Sequence, residues 1–249
     1  MQQLKKNSYI FGRHPIIDAI QSGTSFEKIF LQQGTRGEFE KELRQITKTH
    51  NIPVQIVPKE KLNRLTLANH QGVIGIISLI PFYQLDDILP FIYEKSETPL
   101  ILILDGVTDI RNLGAIARTA EICGVHTIII PKKGSGQINA EAIKSSAGAL
   151  TKIPICRVQS LDAALDTLEW SGITPFVSNL GGKNMVFDCD FTQPVAIIMG
   201  AEGKGVNREI LKRVDNHFII PQKGTTDSFN VSVATGIILY EALKQRIRI

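Results

Sequence analysis

Two short runs, Leu100–Leu104 and Val195–Met199, are apolar at every position. A strand with one wet face alternates apolar and polar residues. A strand that is apolar throughout must be covered on both faces, as in a parallel sheet sandwiched between helices. The neighbouring segments fit that demand. Leu113–Cys123 has a helical pattern closed by Gly124, Thr127–Ile130 reads as a strand stopped by Pro131, and Asn139–Gly148 reads as helical. Ile155–Val158, Leu161–Trp170 and Thr174–Ser178 give strand, helix and strand; Val206–Val214 gives a helix and Phe218–Ile220 a strand. Val231–Arg248 is a long terminal helix, apolar at Val231, Ala234, Ile238 and Leu243. The expected class is therefore α/β, with a mostly parallel sheet.

The first 80 residues alternate in the same way over shorter elements. Helices are expected at His14–Gln21 and Glu38–Thr49, strands at Lys28–Leu31 and Val54–Val57, and a β-rich run at Gly72–Ile80 that ends at Pro81. This predicts a separate small α/β module over residues 1–80. Residues 81–98 change character, with Pro81, Pro90, the Asp86-Asp87 pair and a polar Glu94–Thr98 run. They are expected to be a linker with a short helix at Asp86–Glu94, leaving residues 99–249 as the second domain. A chain of 249 residues accommodates two such modules, each long enough to bury a core.

The longest apolar stretch, near Val73–Phe82, is well short of the ~18 residues of a membrane span. Lys5 and Lys6 precede only a short apolar patch broken by Arg13, so no secretory signal is expected. Cys123, Cys156 and Cys189 stand far apart with no C-x-x-C pair, which predicts buried free thiols in a reducing cytoplasm. The charge is unevenly spread. Residues 1–80 carry eleven Lys and Arg against six Asp and Glu, net +5, whereas residues 81–249 carry seventeen against eighteen, net −1. Excess positive charge in the first module suits a polyanionic partner, although a solubilising surface would read the same way.

The common catalytic signatures are missing. There is no G-x-x-x-x-G-K-[ST] loop, no completed dinucleotide fingerprint at Gly134-Ser-Gly136 or Gly203-Lys-Gly205, no G-x-S-x-G elbow and no clustered Cys/His set for a metal. Three segments remain, each a strand followed by a polar or glycine-rich loop and a helix. In open α/β sheets ligands bind at such strand ends. The first is Leu104–Ala120. Here Asn112 is expected to cap the helix, Gly114 to admit a close backbone, and Arg118, among Ala115, Ile116, Ala117 and Ala120, to need a partner. The second is Ile197–Val206, where Gly200, Gly203 and Gly205 surround Glu202. A tight turn explains one or two glycines better than three. The third is Ile219–Ala234, where Ser228 or Asn230 caps the last helix; nothing in capping requires the preceding Pro-Gln-Lys-Gly-Thr-Thr run.

Together the three segments resemble the signature motifs of the TrmH/SpoU branch of the SPOUT RNA 2′-O-ribose methyltransferases. The matching residues are Asn112-Leu-Gly-Ala-Ile-x-Arg118, Gly200-Ala-Glu202-Gly-x-Gly205, and Ile220-Pro with Ser228-x-Asn230-Val-Ser232. Phe229 stands where leucine is usual in the family. In the first module, Phe11-Gly-Arg-His-Pro15 and His70-Gln-Gly72 resemble the family's L30e-like RNA-binding domain. The whole chain is most similar to bacterial 23S rRNA guanosine 2′-O-methyltransferases.

The resemblance implies a C-terminal domain with a deep trefoil knot, which general rules of chain topology would have argued against. It implies S-adenosylmethionine as cofactor, held at Gly200, Ile220 and Phe229, with Ser178 and Asn179 as further candidates. It implies Arg118 as the catalytic arginine, with Asn112, Glu202, Ser228 and Asn230 positioning substrate and loops. It implies no metal, RNA as partner (most simply 23S rRNA), and a homodimer formed through the C-terminal domain. The alternatives are the same chemistry on tRNA or an rRNA adenosine, or a non-catalytic RNA-binding ribosome-assembly factor.

Overall fold

The computed structural model describes residues 9–247. Lys5, Lys6 and Arg248 of the sequence reading lie outside the described residues. The chain divides after Pro81 into two compact units.

The first unit contains strand β1 (Tyr9–Phe11), helix α1 (Arg13–Gln21), β2 (Phe26–Gln32), α2 (Glu38–Thr49), β3 (Val54–Val57), α3 (Lys59–Asn63) and β4 (Val73–Ile77). The sheet order is β1-β4-β2-β3, with β4 antiparallel to β1 and β2, and β3 parallel to β2. Successive residues of β2 point to opposite faces, and each face is used. Ile29 and Leu31 pack with Ile16, Ile20 and Leu43 from α1 and α2, while Phe30 packs with Leu62 of α3.

The second unit begins with α4 (Leu85–Glu94) and continues through β5 (Leu100–Asp105), α5 (Ile110–Ile122), β6 (Thr127–Pro131), α6 (Ala140–Ser145), β7 (Ile155–Val158), α7 (Leu161–Trp170) and β8 (Thr174–Ser178). It closes with β9 (Asn184–Met185), β10 (Val195–Gly200), α8 (Arg208–Arg213), β11 (Asn216–Ile219) and α9 (Val231–Ile247). The sheet has seven strands in the order β7-β6-β5-β10-β8-β11-β9, and every pairing is parallel. Both wholly apolar runs lie side by side at its centre, with Val195 level with Leu100 and Gly200 level with Asp105. From Leu100 to Leu104 no residue exceeds 1 % exposure. At about 1.5–3 kcal/mol per large aliphatic side chain, this central pair is the main apolar driving force of the unit.

Residues 81–98 are not a free linker. Leu85, Leu89 and Ile92 sit at the spacing of one helix face and are buried in the second unit's core beside Leu165 and Leu168 of α7. The polar residues that suggested a boundary are the solvent side of this helix. Elsewhere the helix expected at Val206–Val214 starts later, at Arg208, because Asn207 caps it through a bond from the Glu209 amide (2.9 Å). No helix among the described residues is long and apolar enough to cross a membrane.

Candidate active site

The parallel register sets the ends of β5, β10, β8 and β11 next to one another. Gly200 pairs with Asp105, Ile198 with Val177, and Phe218 with Ser178. The loops that leave these strands therefore meet at one edge of the sheet, as expected for the carboxyl ends of a parallel sheet.

The loop after β10 is tight. The Gly205 amide donates to the Ala201 carbonyl (2.8 Å), and Gly203 and Gly205 take φ values of +76° and +67°, which suit glycine. Gly200 serves a different need. A Cβ there would collide with the Gly205–Val206 peptide and lie 2.5 Å from the Gly205 carbonyl oxygen. The Asp105 carboxylate then accepts from the Asn207 amide (2.7 Å), tying this loop to the end of β5.

The segment after β5 starts its helix earlier than the sequence suggested. Asp109, not Asn112, is the N-cap: its Oδ1 accepts from the amides of Arg111 (2.7 Å) and Asn112 (3.1 Å). An aspartate three residues earlier caps the amides of the first turn, and this leaves the Asn112 side chain free for other bonds. Gly114 does admit a close neighbour, since a Cβ there would lie 2.9 Å from the Ala142 carbonyl oxygen and 2.6 Å from Ser145 Oγ.

Before α9 it is Asn230, not Ser228, that turns the chain. Its Oδ1 accepts from both the amide (2.9 Å) and the hydroxyl (2.6 Å) of Ser232. Its Nδ2 group donates to Glu202 Oε1 (2.7 Å) and Asn112 Oδ1 (3.2 Å), and Asn112 Nδ2 donates to Glu202 Oε2 (3.5 Å). One residue from each of the three segments thus meets in a single hydrogen-bonded junction, although they are 28 to 118 positions apart. The Glu202 carboxylate is an acceptor at both oxygens there.

Beside the junction is a cleft of about 270 Å³. Ser178, Asn179, Gly200, Ile220 and Phe229 all line it, together with Glu202 and Ser228. Asn179 fixes one wall: its amide donates to the Phe218 carbonyl (2.9 Å) and its side chain meets His217 (3.3 Å). Ile220 is buried and Phe229 is 39 % exposed, so both present apolar surface to the cleft. Arg118 stands apart. It is exposed on α5, does not line the cleft, and makes no hydrogen bond or ion pair among the described residues. Its side chain is exposed, so the partner expected for it is not found among the described residues. Among the described residues no group of His, Cys, Asp and Glu could hold a metal ion.

The model of the SpoU rRNA methylase family matches residues 99–240, which contain all of these elements. The chain belongs to this family. A second model, for RNA 2′-O-ribose methyltransferase substrate binding, matches residues 9–83. A Bacillus subtilis protein, YacO, provisionally named a TrmH family tRNA/rRNA methyltransferase, is 31 % identical over 97 % of both chains. Among solved structures, the SpoU methyltransferase AviRb from Streptomyces viridochromogenes in complex with AdoMet superposes with a TM-score of 0.62 at 26 % identity, covering 96 % of this chain and 90 % of AviRb. An AdoMet-bound rRNA methyltransferase from Sinorhizobium meliloti gives 0.61 at 26 % identity, covering 95 % and 87 %.

Within this SpoU-family chain, sequence reasoning overlooked Asp105 and Asp109, which order two of the three loops, and Lys204 and Gln222, which line the cleft. The signal for Asp105 was present: a lone acid closing an otherwise apolar strand has no packing role.

Proposed function

We propose that the protein transfers a methyl group from S-adenosylmethionine to a ribose 2′-hydroxyl of RNA. The observation that carries this reading is the Asn112–Glu202–Asn230 junction at the rim of a cleft lined by every residue expected to hold the cofactor. The cleft suits the group in chemistry. Ile220 and Phe229 offer apolar contact to an aromatic base, and Gly200 lets the Gly205–Val206 backbone close in to form the adjoining wall. When bound, S-adenosylmethionine supplies an already activated methyl on a sulfonium.

The protein's own task is then to align the ribose oxygen in line with that methyl and to accommodate the proton the hydroxyl loses. Glu202, held by two asparagine amides, orients the loops and the sugar. A guanidinium is a poor general base. The role assigned to Arg118 is to bind the substrate phosphate or to stabilise the developing alkoxide; the alternative is that desolvation on RNA binding lets it take the proton. The test is Arg118→Ala. Calorimetry should give an unchanged S-adenosylmethionine affinity, while methyl transfer to RNA falls by about 10²–10³-fold. Wild-type turnover in the variant would overturn the assignment.

The preferred substrate is 23S rRNA, at a guanosine. A solved tRNA-modifying TrmH/SpoU enzyme from A. aeolicus covers only 66 % of this chain, whereas the rRNA methyltransferase from Sinorhizobium meliloti covers 95 %. A substrate-binding module over residues 1–80, carried in addition to the catalytic domain, favours a large folded RNA, and such a substrate fits a cytoplasmic protein. Mapping ribose methylation in rRNA and tRNA from a strain lacking the protein decides among 23S guanosine, an rRNA adenosine and tRNA. A strain with every methyl in place would favour the assembly-factor reading. We also propose a homodimer through the second unit, in which Val233 (50 % exposed), Tyr240 (64 %) and Phe187 (56 %) form an apolar face beside α9. The family's trefoil knot completes the proposal. It is supported by a sheet order that sets β10 between β5 and β8, and by α9 returning after β11 to pack on α5.

A further inference from the structure

The first unit has a pocket of its own, of about 550 Å³. It brings together the two motif pieces of this unit, Phe11–Pro15 and His70–Gly72, which are almost sixty residues apart. The Arg13 amide donates to Gln71 Oε1 (3.0 Å) and Arg13 Nε donates to the Gln71 carbonyl (3.4 Å). His70, only 6 % exposed, accepts from the Gly72 amide at Nδ1 (3.0 Å), so its proton lies on Nε2 and is donated to Asn63 Oδ1 (2.9 Å). Gln71 itself is held at φ +50°, a left-handed conformation that a non-glycine residue adopts at a cost. A buried histidine, a strained glutamine and a bonded arginine are thus used to shape a concavity.

The chemistry of the walls is one-sided. Arg13, Arg36 and Lys59 are exposed cations, and no aspartate or glutamate among the described residues lines the pocket. Asn63, Asn69 and Gln71 add carboxamides. With its Oδ1 engaged by His70, Asn63 has its NH₂ donors to offer; Asn69 makes no hydrogen bond among the described residues. Cations without counter-charges bind phosphate, and carboxamides read the hydrogen-bonding edge of a base. A duplex buries its base edges in grooves, so a pocket of this size fits a nucleotide that is already unpaired.

We propose that this pocket seats one unpaired nucleotide of the RNA substrate, its phosphate against Arg13, Arg36 and Lys59 and its base edge against the carboxamides. This rests on the methyltransferase reading for the kind of RNA supplied, and it assigns the first unit a selective role beyond general attraction to a polyanion.

The experiment compares two double variants of the full chain, each removing two exposed positive charges from the first unit. Arg36→Ala/Lys59→Ala strips the pocket; Lys41→Ala/Lys48→Ala strips the outer surface of α2. Filter binding is measured with a 23S rRNA transcript and with a total tRNA pool, without cofactor and over a range of salt. The pocket variant is expected to bind its RNA about tenfold or more weakly. Its slope of log affinity against log salt should shrink by about 1–1.5, while the α2 variant stays within about twofold of wild type. Asn69→Ala should keep the salt slope and change the ranking of homopolymer competitors. Equal losses in both double variants, or wild-type binding by the pocket variant, would overturn the proposal, as would a wild-type protein that binds neither RNA. Because binding is read without cofactor, a failure of methyl transfer would be seen separately.

Discussion

Gly200→Ala adds one methyl group at the point where two stretches of backbone touch. The new Cβ would overlap the Gly205–Val206 peptide and lie 2.5 Å from the Gly205 oxygen, and each of these obstructing atoms is main chain. A flexible side chain could swing aside, but here the loop between Ala201 and Val206 must move as a body. It is pinned by the Gly205–Ala201 bond at one end and by Asp105–Asn207 at the other. Overpacking of this kind costs about 1–3 kcal/mol, and backbone obstruction argues for the upper end. For a chain of this size that corresponds to a fall of roughly 6–12 °C in the melting temperature of the second unit. The same displacement carries Glu202 away from Asn112 and Asn230 and moves one wall of the cleft, so S-adenosylmethionine affinity should fall at least about tenfold. Gly203→Ala is the control. Its Cβ meets nothing within 4 Å, and only its φ of +76° opposes the change, at about 1–2 kcal/mol. Calorimetric melting and isothermal titration of both variants give the comparison. A Gly200→Ala protein that melts within a degree of wild type and binds the cofactor normally would refute the claim that this glycine closes the cleft.

Two further perturbations probe the second unit. Burial pushes the Cys156 thiol up to about 11, with the Thr127 hydroxyl acting weakly in the other direction. The folded protein thus holds a proton that the unfolded chain releases. Stability is intact below about pH 9 and should drop by about 2–3 kcal/mol as the pH rises through 11. Urea midpoints from pH 8 to 10.5 measure this, and rapid native labelling of Cys156 by a thiol reagent would contradict it. Arg213 reaches Asp162 (2.6 Å), Asp166 (2.6 Å) and Glu169 (2.8 Å) with one guanidinium. Arg213→Ala leaves three carboxylates facing one another and should destabilise the unit by about 1–3 kcal/mol, with part of the loss recovered in 1 M NaCl. A urea midpoint unchanged at low salt would show that the cluster contributes nothing.

Much of the fold was legible because the strongest sequence signals are burial signals. Val195–Met199 and Leu100–Leu104 read as fully buried strands and became the central pair of the sheet. Glu38–Thr49 was legible to the residue from its apolar spacing. Where the reading slipped, short-range chemistry had competed with itself. Asp109 and Asn112 are both good caps, and only the structure decides between them, by placing Asp109 Oδ1 within 2.7 Å of the Arg111 amide. In segment 81–98 the polar residues favour a linker with a short helix at Asp86–Glu94; the helix is there, from Leu85 to Glu94, but Leu85, Leu89 and Ile92 bury it in the core of the second unit. Short strands such as Tyr9–Phe11 and Asn184–Met185 were not seen, since two or three residues carry no periodicity. Arg118 is a different case: the residues next to it in sequence are spread around the helix at a 3.6-residue period, so Ala117 and Ala120 are buried while Arg118 is exposed.

What no local signal could supply is the order of the strands, and that order makes the site. Had β10 paired at an outer edge, the Gly200 loop would open away from α5 and Glu202 could not reach Asn112. Instead β10 sits between β5 and β8, and β11 lies beyond β8, so four strand ends are contiguous although their sequence positions run from 105 to 219. The cost of assembling such non-local neighbours is chain entropy, and it is offset by the burial of the two apolar strands that form the centre. Core and site are therefore coupled. A cavity made by Ile198→Ala, two residues before Gly200 and wholly buried, should cost about 2–5 kcal/mol. Through the shared strand it should also loosen the loop that carries Glu202. Hydrogen exchange at the Gly205 amide, bonded to Ala201, reports on that loop directly. If its protection is unchanged while the core is weakened, the loop is held by its own bonds alone and the coupling inferred from the strand order is wrong.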